Sequence, residues 1–235
     1  MSTITLLVLS LNEYHGIKAI MPKVDSSLFT QIIFLDGGST DGTIDLINEM
    51  GYEIYIQKRK GIRNGYKEVW PLIRGDYVLT FSPDGNSPAE SLASLINEVE
   101  KGFDMVIGSR YLPPAKSYDD DPITAFGNWL FTTTVNVLFG SKYTDVMVLL
   151  RIFRTNLIKE LKLNDEKPFR FVETIFRTKI SFEPLLSVRA AKYGKKINEI
   201  PVDEPERIGG VRKLQILRWG AAYYSQFFLE KFNLL

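Results

Sequence analysis

The sequence of 235 residues contains no cysteine and a single histidine, His15. Without cysteine, the chain can form neither a disulfide framework nor a thiolate nucleophile nor a cysteine-ligated zinc site. One histidine argues against a Ser-His-Asp triad and against a histidine-rich metal centre. The chemistry of the protein is therefore expected to rest on carboxylates, arginines and lysines.

The sequence also has no marked excess of charge and no long apolar run. Its formal net charge is +1, which does not favour nucleic acid as a partner. No stretch reaches the roughly 18 apolar residues needed to span a bilayer, and Met1–Ser10 lacks the basic start of a secretory signal. The length fits one large α/β domain, alone or with a short C-terminal appendage, and we expect it in the cytoplasm.

Short apolar runs alternate with helical patterns through the first half of the chain. The runs predicted to be strands are Ile4–Ser10, Ile32–Leu35, Ile54–Ile56, Tyr77–Phe81 and Met105–Ile107. Helical spacing is present in Thr43–Met50 and Ser91–Val99. This alternation predicts an α/β fold with a mostly parallel sheet flanked by helices. Ligands of such sheets bind beyond the carboxyl ends of the strands.

Two polar segments directly follow predicted strands. In Asp36–Thr43 (DGGSTDGT), glycines allow positive φ and close approach of a ligand, and the polar residues can cap the next helix. In Ser82–Pro88 (SPDGNSP), Asp84 and Asn86 offer the oxygen atoms that a hard divalent cation prefers. Taken alone, the first segment is equally compatible with a tight turn, and the second favours an Asx turn.

The segments after the strands occur in an ordered set. They are Ser10-Leu11-Asn12-Glu13, Asp36–Thr43, Ser82–Pro88 and Gly108-Ser109-Arg110-Tyr111, followed by Asp145 with Arg151, Glu183–Gly194, Glu199-Ile200-Pro201-Val202 and Arg207–Lys213. The set, over roughly residues 3 to 215, resembles glycosyltransferase family two. The subgroup that it resembles most is the polyprenyl-phosphate (dolichyl-phosphate) hexosyltransferases. Each motif alone is weak, whereas their order and spacing are specific.

The resemblance implies a GT-A (Rossmann-like) fold, a nucleoside-diphosphate sugar as donor, transfer with inversion, and a divalent cation, Mg²⁺ or Mn²⁺. It places the metal on Asp84 and Asn86. The implied catalytic residues are Asp84, Arg110, Arg207 and Lys213. The implied nucleotide-sugar-binding residues are Asn12, Glu13, Asp36, Gly37, Gly38, Ser39, Asp41, Arg63, Asp84 and Arg151. Arg63 belongs to the basic segment Lys58–Gly65, which is equally compatible with a solvated loop.

The sequence departs from the family pattern at four positions. Gly37 replaces the second acid of the Asp-Asp-Gly run, and Ser82 replaces the first acid of Asp-x-Asp. Leu149 and Arg212 replace an expected glycine and serine in regions where relatives meet the acceptor. These departures bear on metal affinity and on the acceptor, and they leave open a non-catalytic, membrane-associated relative.

The acceptor is the second open question. A phosphate monoester is already ionised near neutral pH and needs no strong base, whereas a sugar hydroxyl needs a carboxylate base. No convincing base motif is present, although Asp145 or Glu173 could serve. This favours a polyprenyl phosphate over a glycan hydroxyl in cell-surface polysaccharide synthesis. A sugar-phosphate nucleotidyltransferase is disfavoured, since Ser10–Glu13 lacks that class's glycine- and arginine-rich loop.

Two segments are unusually apolar and aromatic, residues 125–140 and residues 214–235. The first fits an ordinary core helix. We predict that the second is an appendage to the catalytic domain of residues 1–213, as an amphipathic helix on a membrane surface or in an oligomer contact. The expected location is therefore the cytoplasm, peripherally on the inner face of the cell membrane.

Overall fold

Seven strands form one sheet in residues 2–208 and 216–234, the part of the chain that the computed structural model describes. The strands are β1 Ile4–Ser10, β2 Gln31–Asp36, β3 Glu53–Ile56, β4 Tyr77–Phe81, β5 Met105–Ser109, β6 Arg151–Arg154 and β7 Ile197–Pro201. Their order across the sheet is β3-β2-β1-β4-β6-β5-β7. Only β6 runs antiparallel, to both β4 and β5. The predicted α/β class with a mostly parallel sheet is confirmed.

Helices connect the strands and cover both faces of the sheet. They are α1 Tyr14–Ile20, α2 Thr43–Glu49, α3 Ile62–Val69, α4 Ser91–Val99, α5 Pro122–Phe139, α6 Leu157–Glu160, α7 Lys167–Phe176, α8 Glu183–Lys192 and α9 Ile216–Lys231. Short 3₁₀ turns lie at Met21–Lys23, Ser26–Leu28 and Trp70–Leu72.

The central strand β1 shows why the sheet is covered on both sides. All seven of its residues are buried. Because successive side chains of a strand point to opposite faces, Leu7 and Leu9 join one core cluster, and Leu6 and Val8 join another. A continuous apolar run is thus the sequence pattern expected of a parallel strand between two helical layers.

The C-terminal helix α9 packs one of its faces into the core of the fold. Its buried face carries Ala222, Tyr223, Gln226, Phe227 and Glu230, and it packs against α5, α7 and α8. The predicted domain boundary at residues 213 and 214 lies outside the described residues.

Helix α5 has one buried and one solvent-exposed face. Its exposed face carries Ile123, Phe126 and Trp129, each more than half exposed. The rings of Phe126 and Trp129 lie 5.6 Å apart, centroid to centroid. Within the described residues, no helix combines the length and apolar character needed to cross a membrane.

Candidate active site

The loops after β1 and β2 are built around one buried carboxylate, Asp36. It accepts hydrogen bonds from the backbone N–H groups of Gly38 (2.9 Å) and Ser39 (2.7 Å) and from the hydroxyls of Ser10 (2.8 Å) and Ser39 (2.7 Å). Gly38 has a φ of +92°, a conformation that favours glycine. Asp36 therefore fixes the shape of the turn, with its side chain fully buried.

The same two loops are tied to each other. The Asn12 N–H donates to Ser39 Oγ (2.8 Å), and Asn12 Oδ1 accepts from the Thr40 N–H (2.9 Å). Asp41 Oδ1 accepts from the Thr43 N–H (3.1 Å) at the start of α2. The Gly37 N–H donates to the Ser10 carbonyl (2.8 Å), and the Glu13 N–H donates to Thr43 Oγ1 (3.0 Å). The predicted nucleotide-binding loops thus form one unit at the carboxyl ends of β1 and β2.

The loop after β4 holds Asp84 beneath the segment that follows β7. Asp84 Oδ1 accepts from the Asn86 N–H (3.1 Å), so the Asx turn is present. The Asp84 carbonyl accepts from the Ile208 N–H (2.7 Å), and Arg207 Nη1 lies 3.1 Å from Asp84 Oδ2. Gly85 permits this approach: its φ is +94°, and an added Cβ would stand 2.7 Å from Ile208. Arg207 and Asp84 are therefore brought together as predicted for one site.

A third segment joins this loop through Asp119, which the sequence did not identify as a site residue. Asp119 Oδ2 accepts from Asn86 Nδ2 (2.9 Å) and lies 3.8 Å from Arg207 Nη2. The run Asp119-Asp120-Asp121 is visible in the sequence, but it belongs to none of the family motifs. Its contacts with Asn86 and Arg207 join the segment between β5 and α5 to two parts of the chain that are distant in sequence.

Arg110 lies in the cavity wall with its guanidinium held by acids. Arg110 Nε donates to Asp145 Oδ2 (2.7 Å) and Nη2 to Asp145 Oδ1 (3.1 Å), while Nη1 donates to Glu204 Oε1 (3.2 Å). Burial raises the pKa of Glu204, although the charge of Arg110 opposes that shift. The bidentate pair fixes the Arg110 side chain at the end of β5.

Arg63 and Arg151 lie inside the protein and do not reach this site. Arg63, 3% exposed, pairs with Glu166 (2.7 Å) and Glu173 (2.8 Å) of the α7 region. Arg151, fully buried, donates to the Val148 and Glu183 carbonyls and to Ser187 Oγ. Burial lowers the pKa of the Arg151 guanidinium, although nearby charges oppose the shift. Both arginines are held by internal partners, and neither lines the cavity beside Asp84, so the structure does not support the phosphate contacts predicted for them.

The two candidate bases are also engaged in internal pairs. Asp145 is fully buried against Arg110 and accepts from the Val148 N–H (3.2 Å). Glu173 receives Arg63 and Lys179 Nζ (2.7 Å). The oxygens of both carboxylates therefore accept hydrogen bonds from partners within the protein.

A cavity of about 500 Å³ connects the Asp84 loop to the helices of the C-terminal half. Its polar end holds Asp84, Asn86, Arg110, Asp119 and Arg207. Its other walls are mainly apolar and come from the 147–150 segment, α5 and α9; they include Ile123, Phe131, Met147, Val148, Leu149, Leu150, Trp219 and Tyr223. Leu149, one of the departures from the family pattern, lies in this apolar wall.

The residues around Asp84 fit a divalent cation in part. Among residues 2–208 and 216–234, no group of three His, Cys, Asp or Glu side chains is placed to hold a metal. Asp84 nevertheless offers carboxylate oxygens, and Asn86 Oδ1 is buried without a hydrogen-bond partner in the described part of the chain. Carboxylate and amide oxygens are the ligands that Mg²⁺ and Mn²⁺ take. Lys213 and Arg212 lie outside the described residues.

Comparison with known proteins identifies the class. A model of glycosyl transferase family 2 matches residues 5–162, and the chain belongs to this family. It is 24% identical over 212 residues to the undecaprenyl-phosphate mannosyltransferase of Micrococcus luteus, covering 82% of this chain and 83% of that one. It is 26% identical over 225 residues to the polyprenol monophosphomannose synthase of Mycolicibacterium smegmatis, covering 86% and 77%. The predicted resemblance to polyprenyl-phosphate sugar transferases is confirmed.

A solved structure shares the fold. Glucosyl-3-phosphoglycerate synthase from Mycobacterium tuberculosis, in complex with Mn²⁺, uridine diphosphate and phosphoglyceric acid, superposes with a TM-score of 0.64. The match covers 98% of this chain and 78% of that one at 18% identity. At this identity the likeness establishes the GT-A-like fold alone.

Proposed function

We propose that this protein transfers a sugar from a nucleoside-diphosphate sugar to a polyprenyl phosphate, with inversion at the anomeric carbon. The observation that carries the proposal is the continuity of one cavity. It joins the polar end at Asp84 and Arg207 to an apolar section between α5 and α9. A ligand with a charged head and a hydrocarbon tail matches such a cavity in both parts. The relatives named for polyprenyl phosphates support the same acceptor class.

The donor nucleotide is assigned to the joined loops after β1 and β2. Asn12, Glu13 and the turn Asp36–Ser39 line this edge, and Asp41 holds the start of α2. Because Asp36 is buried within its own turn, its role is to hold the loop backbone in position for the nucleoside. The edge lies beyond the carboxyl ends of parallel strands, where ligands of α/β sheets bind.

The diphosphate is assigned to Asp84, Asn86 and Arg207. Asp84 and Asn86 would hold a divalent cation, which when bound supplies positive charge to the leaving diphosphate. Arg207 stands against Asp84 and adds a second positive charge on a side chain suited to bidentate phosphate contacts. The bond from the anomeric carbon to the diphosphate oxygen breaks as the bond to the acceptor phosphate oxygen forms.

A phosphate acceptor agrees with the pairing of the two candidate bases, Asp145 and Glu173, with cationic side chains. Its oxygen is already ionised near neutral pH, so no proton has to be removed before attack. Transfer to a glycan hydroxyl would need such a base. Asp145 is occupied by Arg110, and Glu173 by Arg63 and Lys179. These pairs favour the phosphate over the hydroxyl.

We also infer that the protein meets its acceptor at a membrane surface through α5. Ile123 lies both on the exposed stripe of α5 and in the cavity wall. Phe126 and Trp129 extend the same stripe as a pair of contacting rings. Aromatic side chains on one face of a helix suit the boundary between headgroups and acyl chains. The inference places the membrane contact on α5 rather than on α9, which packs Ala222, Tyr223 and Phe227 into the core.

The test is transfer of label from nucleotide sugars to undecaprenyl phosphate by wild-type protein and by Arg207→Ala. Arg207→Ala is expected to lower kcat/KM on the order of 10²-fold or more, the scale of one lost charge-stabilising contact. Arg74→Ala is the matched control, because Arg74 lies at the amino-terminal ends of the strands, away from the site, and pairs with the exposed Glu53. Equal activity of the Arg207 variant and the wild type would contradict the assignment of the site.

A further inference from the structure

The metal site of this chain lacks an acid that the family motif supplies. Ser82 stands in the cavity wall where Asp-x-Asp has its first aspartate. Its hydroxyl carries no charge, so Asp84 is the one carboxylate that this motif retains. Hard divalent cations bind through several oxygen ligands, and charged ligands raise the affinity. A tight site therefore needs a carboxylate from another part of the fold.

Asp119 is the carboxylate that the fold places beside this motif. It comes from the segment between β5 and α5, and its side chain is 19% exposed. Its Oδ2 atom lies 2.9 Å from Asn86 Nδ2. Asp119, Asp84, Asn86 and Ser82 all line the same end of the cavity.

The Asn86 side chain, which contacts Asp119, has one polar atom without a partner. Its Nδ2 donates to Asp119, whereas its Oδ1 is buried and has no hydrogen-bond partner within residues 2–208 and 216–234. A buried acceptor without a partner is costly. A cation between Asp84 and Asp119 would satisfy this oxygen, because amide oxygens are ordinary ligands of Mg²⁺ and Mn²⁺.

The two acids already share one cationic partner in the structure. Arg207 reaches both carboxylates, with Nη1 3.1 Å from Asp84 Oδ2 and Nη2 3.8 Å from Asp119 Oδ2. One guanidinium therefore bridges the two acids. Asp84 and Asp119 are therefore close enough to bind the same positively charged group. A bound diphosphate would give Arg207 an alternative anionic partner and free both carboxylates for the cation.

The neighbouring acids of the same run have other roles. The hydroxyl of Tyr111 donates to Asp120, and Asp121 Oδ1 accepts from the Thr124 N–H (2.8 Å) as the N-cap of α5. Of the three consecutive aspartates, Asp119 is the one that contacts Asn86 and Arg207.

We propose that Asp119 is the second carboxylate ligand of the divalent cation, in place of the acid missing at Ser82. The site would then comprise Asp84, Asn86 and Asp119, drawn from the loops after β4 and β5. The inference rests on the proposed function and adds to it a ligand that does not belong to the Asp-x-Asp motif.

The test is titration of the full chain with Mn²⁺ alone, with free Mn²⁺ measured by electron paramagnetic resonance. Asp119→Asn is expected to weaken Mn²⁺ binding about tenfold or more, because it replaces a charged ligand with a neutral one of the same shape. Asp121→Asn is the matched control, since asparagine also serves as an N-cap and Mn²⁺ binding should be unchanged. Adding Ser82→Asp to Asp119→Asn should restore binding by returning an acid to the motif.

The outcomes separate the inference from the proposed function. Loss of Mn²⁺ binding in Asp84→Asn together with wild-type binding in Asp119→Asn would overturn the inference and leave the proposed function intact. Failure of Ser82→Asp to restore binding in the Asp119→Asn background would also count against it. A wild-type chain that binds no Mn²⁺ would contradict both the inference and the metal-assisted form of the proposed function.

Discussion

At the scale of single residues, arginines show what a sequence can and cannot indicate. Arg63 and Arg207 both lie in basic, glycine-bearing segments, and both were predicted to contact phosphates. Arg207 lies against Asp84, whereas Arg63 is buried between Glu166 and Glu173 and stacks on Phe169, its Cζ 4.2 Å from the ring centroid. The difference comes from the α7 region, which is about 100 residues away in sequence. The local sequence pattern around Arg63 does not indicate that α7 packs against it.

The buried pair of Arg63 and Glu173 leads to a stability prediction. Glu173→Ala should lower the free energy of unfolding by about 3–5 kcal/mol, because it leaves a buried guanidinium without its main partner. Glu166→Ala, at the exposed end of the same cluster, should cost about 1 kcal/mol or less, since the Glu166 side chain is 54% exposed. Urea denaturation of both variants and the wild type measures the difference. Equal losses would show that Arg63 does not depend on its buried partner.

The site residues likewise divide into those that local motifs predict and those that only the folded structure brings together. Asp84, Asn86 and Arg207 were predicted from motifs in which the chemistry and the spacing are local, and the structure brings them together. Asp119 was not predicted, since only the folded path of the segment after β5 brings it to Asn86. The roles of these residues toward nucleotide, metal and acceptor remain predictions.

At the scale of elements, buried parallel strands were the most predictable feature. Ile4–Ser10 and Tyr77–Phe81 were predicted with the bounds that the structure has, because continuous apolar runs of this length have few alternatives. Strand β6 was not predicted. Its sequence, Arg-Ile-Phe-Arg, is short and has a charged residue at each end, and its place between β4 and β5 arises from non-local antiparallel pairing.

The two apolar helices show the limit of composition as a guide to surface exposure. Residues 214–235 were predicted to hold the membrane or an oligomer contact, and residues 125–140 fitted a core helix. In the structure, α9 buries Ala222, Tyr223 and Phe227 in the core, while α5 exposes Phe126 and Trp129. Residues 214–235 also expose Phe228, Phe232 and Leu234, and the contact predicted for this segment stays a prediction. Both helices are rich in apolar residues on most faces, so the sequence pattern did not indicate which face each would bury.

The exposed stripe of α5 leads to a prediction about membrane binding. Phe126→Glu with Trp129→Glu should reduce binding to anionic liposomes by about tenfold or more, because two aromatic side chains lose their burial in lipid. Phe171→Glu is the control, an equally exposed aromatic residue on α7. Sedimentation with liposomes measures the bound fraction. A wild-type protein that stays in the supernatant, and loses a dimer on substitution, would assign the stripe to self-association.

At the scale of the whole molecule, polar loops and apolar helices meet in one cavity beyond the carboxyl ends of the strands. The strands β1, β2 and β4 deliver the loops that hold Asn12, Asp36 and Asp84, while the C-terminal half supplies apolar helices. The family accounts for the first half of this arrangement. The apolar continuation of the cavity between α5 and α9 is what points to a lipid acceptor.

The most direct test of this account is a competition between acceptors in one reaction. Wild-type protein receives labelled nucleotide sugars with Mn²⁺ and equal amounts of undecaprenyl phosphate and a lipid-linked glycan, and mass spectrometry identifies the labelled product. The proposed function predicts label on the bare lipid phosphate, as a sugar phosphodiester whose anomeric configuration is opposite to that of the donor. Label found only on the glycan would contradict the assigned acceptor.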